Sequence, residues 1–82
     1  DFLVDLKFKV VSEFSEVMTS LRDVVKSIGD KSITNEYILI YSNFKEVEKN
    51  YSLGLLSRED YKIGLNRVNM STLDFIDKLI DN

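Results

Sequence analysis

From residue 14 onward the apolar positions of the chain fall at helical intervals. Phe14, Val17, Met18, Leu21, Val24, Val25 and Ile28 repeat in steps of three and four, and Gly29 follows as a stop signal. A second stripe, Ile33, Tyr37, Ile40, Phe44, Val47 and Tyr51, alternates steps of four and three and ends before Gly54, with Thr34 placed to cap its start. The last stripe opens at Ser57, with Glu59 and Asp60 in its first turn, a capping-box-like beginning. It carries Tyr61, Leu65, Val68, Thr72, Ile76 and Leu79, widened by Leu73 and Ile80. Two long amphipathic helices over residues 32–53 and 57–81, joined through Leu53–Leu56, predict an αα-hairpin.

The first dozen residues carry two periods at once. Val4, Leu6, Phe8 and Val10 alternate with Asp5, Lys7 and Lys9 as a strand would. Leu3, Leu6 and Val10 also start a helical stripe that runs on into Phe14, Val17 and Leu21. A lone strand has no pairing partner in a helical chain, so helix is the expectation, and with no breaker present the residues leave open whether it breaks near Ser12–Ser15. The predicted fold is therefore all-α: a compact antiparallel bundle of three to four helices in one domain over residues 1–82. The hairpin dominates it, and residues 2–29 pack across that hairpin.

Composition narrows the chemistry. The 82 residues include no Cys, His, Pro or Trp and only three Gly. Disulfides, thiolate metal sites, the usual zinc constellations and His-based triads are thereby excluded. Eleven basic and fourteen acidic residues give a net charge of −3 and a pI near 4.8, which argues against nucleic acid or an anionic membrane as a partner. The longest apolar run, Tyr37–Tyr41, is too short to span a bilayer, and no leader is visible, so a cytoplasmic location is expected. The chain starts at Asp1 rather than Met, so it is expected to be a piece of a larger multidomain protein. No pairing of a nucleophile, a base and an orienting group stands out, nor any phosphate loop or metal loop. No catalytic, cofactor-binding or metal-binding residue is therefore expected.

Residues 35–79 carry a more specific pattern. It comprises the string Asn35-Glu36-Tyr37-Ile38-Leu39-Ile40-Tyr41-Ser42-Asn43-Phe44, then Glu48-Lys49, then Leu53-Gly54-Leu55-Leu56-Ser57-Arg58-Glu59-Asp60-Tyr61. Asn66-Arg67-Val68, Leu73 and Phe75-Ile76-Asp77 complete it. This resembles the effector-associated domains of bacterial conflict and immune systems, in particular the type numbered eleven. The resemblance implies an adaptor: a helical domain, similar in logic to death-fold adaptors, that pairs with a like domain on another protein and recruits an attached effector. Before Asn35 the likeness is weaker; there it implies a short first helix, a polar turn and a second helix, with Val11-Ser12-Glu13-Phe14-Ser15 in the place of the turn but without the glycine that the family's turn would carry.

Several residues are candidates for partner binding, each with a plainer structural alternative. Arg67, beside Asn66, offers a planar fork to a partner carboxylate, or pairs internally with Asn43, Glu46 or Glu36. Leu55 and Leu56 form either an apolar recognition tip or the hydrophobic contact of a helix cap. Tyr41 falls off the stripe of its helix and is expected to be the most exposed of the aromatic group, whose other members read as core. Asp74 and Asp77, with Asp81, crowd a helix C-terminus against the dipole, either as a contact patch for a basic partner or because the helix runs on. Phe2, Val4, Phe8 and Val11 lie off the first helix's main stripe, either as a dimer face or as a helix buried on several sides. The sequons at Asn50 and Asn69 fall inside predicted helices and are discounted. The alternative to an adaptor is a structural or regulatory homo-oligomerisation module built on Phe2, Phe8 and Val11.

Overall fold

The computed structural model describes residues 1–81, and within them there are four helices and no strand: α1 (Phe2–Lys9), α2 (Phe14–Ile28), α3 (Lys31–Ser52) and α4 (Arg58–Asp81). The hairpin predicted over 32–53 and 57–81 is present within a residue at each end. Its turn is closed by the backbone N–H groups of Leu53, Gly54 and Leu55, which donate to the carbonyls of Lys49, Tyr51 and Asn50. Gly54 takes φ +75° there, a conformation that side chains disfavour. Ser57 Oγ then accepts from the Asp60 N–H at 3.0 Å, so α4 is capped as its sequence implied.

The cap of α3 differs from the expectation. Asp30, not Thr34, holds its N-terminus, accepting from the Ile33 N–H at 3.0 Å, while the Thr34 hydroxyl donates back to the Asp30 carbonyl. The reason is local: Gly29 ends α2 in the left-handed region, and the acid that follows it satisfies orphan donors and the helix dipole at once. Thr34 is already inside the first turn.

The N-terminal segment forms two helices, not one. Asp1 caps α1, and the chain turns through residues 10–13 before α2 begins. Packing, rather than a breaker, sets this bend. Leu6 and Val10 are buried on the α4 side, whereas Val17, Met18, Leu21 and Val25 turn toward α3.

The bundle is thus a central α3–α4 hairpin with α1 laid along α4 and α2 along α3. Phe14 of α2 packs its ring on Phe44 of α3 at 4.5 Å between centroids, and the Tyr37 hydroxyl donates to the Met18 carbonyl at 2.8 Å. Among the described residues Thr72 is the one buried polar residue, and its hydroxyl donates to the Val68 carbonyl. Lys7 pairs with Asp77 to tie α1 to α4, and Lys78 pairs with Glu36 at 2.7 Å to tie α4 to α3. Gly64 sits where the two hairpin helices come closest: a Cβ built on it would stand 3.1 Å from both methyls of Val47. The cost of a helical glycine, about 1 kcal/mol, is here exchanged for close approach of the helices.

Candidate functional site

The hairpin has two faces. Phe44 and Leu65 look toward the α1–α2 corner, sharing a cleft with Val11. On the other side, Val47, Gly64 and Val68 floor a groove of about 530 Å³ between α3 and α4. Close contact at Gly64 makes the floor, since a larger residue there would fill it. Asn43 and Glu46 rise from α3 on one wall, Ile63 and Arg67 from α4 on the other, and Leu56 and Asp60 close the end near the turn.

Arg67 is exposed and makes no hydrogen bond or ion pair with any described residue. Of the three internal partners its position allowed, Glu36 is taken by Lys78, and Asn43 and Glu46 face Arg67 across the groove without bonding to it. A guanidinium beside an apolar floor, with its donors free, is poised for a planar anionic group. Asn66 is exposed one position on, outside the groove, on the outer face of α4 with Met70. Leu56 is half-buried in the groove, while Leu55 is 70% exposed beside the turn.

The acidic candidates separate. Asp74 is exposed and lines a smaller cleft that shares Asn43 and Ser71 with the groove. Asp77 spends its charge on Lys7, a cation that only the tertiary fold brings to it, so the crowding expected at this helix end is relieved. Tyr41 is exposed as expected, but on a different side of α3: its ring stacks on Tyr37 and lies 5.4 Å from the Lys45 ammonium. The groove therefore unites Arg67 and Leu56, with Asp74 in the adjoining cleft, and leaves Asn66, Leu55, Tyr41 and Asp77 apart from it. Ile63 belongs to it and was not singled out from the sequence, while Glu46 was read there only as an internal partner for Arg67 and Asp60 only as a first-turn acid. For Ile63 a signal existed: it stands four residues before Arg67 and so on the same face of its helix.

The sequence profile of the family described as Effector-associated domain 11 matches residues 6–80. The chain belongs to that family. No curated protein and no solved structure matches it. The matched span of this effector-associated domain reaches well before Asn35 and takes in both faces of the hairpin and the α1–α2 corner. No helix among its described residues is long and apolar enough to cross a membrane.

At the turn end of the domain, Tyr51 and Tyr61 stack at 3.9 Å, and the Tyr61 hydroxyl donates to the Glu48 carboxylate at 2.8 Å. That hydrogen bond, with some burial, raises the Tyr61 pKa above its ordinary value, and burial raises that of Tyr37 against an opposing pull from Arg22. Both phenols hold their protons more tightly folded than unfolded. Above pH about 10 the unfolded chain therefore binds fewer protons, and stability should fall as pH rises through that range. Denaturant midpoints measured from about pH 9 to 11, roughly one unit either side of the ordinary phenol pKa, should show this loss. It should be flattened in the Tyr37→Phe, Tyr61→Phe double variant.

Proposed function

We propose that this domain is a protein–protein interaction adaptor that recruits or assembles effector modules through like-with-like helical contacts. Its setting is a bacterial immune or conflict signalling system, in the cytoplasm, and its partner is another protein carrying a similar helical domain. The observation that carries the reading is Arg67: an unpaired guanidinium on the wall of an apolar-floored groove, in a chain of the effector-associated family. A mixed polar and apolar surface of this size favours weak single contacts made effective by multiplicity. The test is titration calorimetry between this domain and a family member from a protein encoded beside it. Binding is expected, and Arg67→Ala should weaken it about tenfold or more, as for loss of a charge-assisted hydrogen bond, without lowering thermal stability. Absence of binding to any such neighbour, or indifference to Arg67→Ala, would count against the adaptor reading.

One observation favours a second reading, an oligomerisation module. Phe8 and Val11 are 84% and 78% exposed, far more than an ordinary soluble surface requires. In that case the isolated domain forms a tight symmetric dimer at the lowest concentrations measurable by light scattering, and Phe8→Asp dissolves it.

A further inference from the structure

We infer that copies of this domain associate head to tail, with the Phe8 and Val11 knob of one copy seated in the α3–α4 groove of the next. The inference rests on the like-with-like reading and names the surfaces that would carry it. Val4, Phe8 and Val11 follow one another in steps of four and three along the outer side of α1 and the turn after it, and all three are exposed. Nothing in the chain itself covers the two at the corner. The groove is the complementary shape: a cavity of about 530 Å³, floored by Val47, Gly64 and Val68. That lies inside the range of about 300–1,000 Å³ typical of sites that take whole small molecules, so one aromatic and one branched side chain fit together.

Charge agrees with shape. The knob is flanked by Lys9 and Glu13, both exposed, and neither forms an ion pair among the described residues. The groove carries Glu46 and Asp60 for the lysine and Arg67 for the glutamate. The domain's net charge of −3 opposes association of arbitrary surfaces, so a contact that pairs both signs is selected.

Placement fixes the symmetry. Val11 shares its cleft with Phe44 and Leu65, on one side of the hairpin, whereas the groove opens on the other side through Val47, Gly64 and Arg67. A chain cannot fill its own groove, and two chains cannot exchange knobs across a single two-fold axis through one contact. The interface is heterologous, which builds open chains of copies or closed rings.

Sedimentation velocity of the purified domain tests this with two variants at exposed positions, Phe8→Asp without a knob and Ile63→Arg without a groove. Val11→Asp and Leu56→Asp serve as a second pair should either fail to fold. The unmodified domain should form a series of species that grows with concentration, and each variant alone should stay monomeric. An equimolar mixture of the two should form a dimer and nothing larger, because it contains one good knob and one good groove. Arg67→Glu should weaken association about tenfold or more, and Glu13→Arg in the same chain should restore it. A mixture that stays monomeric, or Phe8→Asp protein that associates like the unmodified domain, overturns the inference and leaves the like-with-like reading standing. So does a domain that stays monomeric to millimolar concentration while binding its neighbour-encoded relative. Failure to bind that relative tells against the reading itself.

Discussion

Leu21→Ala is expected to remove about 3–4 kcal/mol of unfolding free energy, a large share of what the domain has. Leu21 is fully buried in the middle of α2, in the layer that packs α2 onto α3. Truncating it loses the transfer energy of the side chain and leaves a void that flanking Val17, Met18 and Val25, held by their own contacts, fill only in part. An 82-residue domain with no disulfide has about 4–12 kcal/mol in total. At about 4–8 °C per kcal/mol, the melting temperature should drop by about 12–32 °C. Urea unfolding followed by circular dichroism measures the loss, and an unchanged m-value shows that it comes from stability alone. Ile28→Ala supplies the control. Ile28 lies on the same stripe but at the helix end, 47% exposed, and its truncation should cost less than about 1 kcal/mol. Equal costs at the two positions would mean that α2 does not dock on the hairpin as described.

The second large effect concerns the hairpin itself. Gly64→Val should destabilise the domain by about 2–3 kcal/mol, although valine is the better helix former. A Cβ at this position already stands 3.1 Å from two Val47 methyls, and valine adds two further carbons where the helices touch. The helices must separate or the side chain must leave its preferred rotamer, and the floor of the groove changes either way. The test is a double-mutant cycle with Val47→Ala, which removes the obstructing methyls. The double variant should recover about 1–2 kcal/mol relative to the sum of the singles. Additive costs would show that Gly64 and Val47 do not face each other.

The long helices were legible because their apolar positions recur at a single period and their ends carry local signals. Gly29 ends α2 and Ser57 caps α4 by chemistry that involves only near neighbours. Features set by distant residues were not legible. The bend between α1 and α2 has no glycine or proline to mark it, and only the family resemblance placed it near Ser12–Ser15. Phe75 was passed over for Ile76 as the stripe position, yet both are buried, because α4 is covered by α1 on one flank and α3 on the other and so hides a wider arc than one stripe. The pairing of Lys7 with Asp77 spans 70 residues, and no periodicity could suggest it. Within the groove, Arg67 was marked by the family motif. Glu46 was legible only as a partner for Arg67 and Asp60 only as a helix-start acid, until the fold set both around the same hollow.

α1 has only eight residues, too few to hold helical shape in isolation, and it keeps that shape by lying against α4 at the far end of the sequence. The hairpin needs only a tight turn to form, and α2 joins the helix that follows it directly. Docking α1 requires the longest loop closure in the molecule, so it should come last in folding and be the first step to reverse. Phe8 and Val11 are set at their corner only once that step is complete. Assembly through them would therefore act as a proofreading device: a half-folded or locally frayed copy lacks its knob, and joins the chain of copies, if at all, only as the terminal unit.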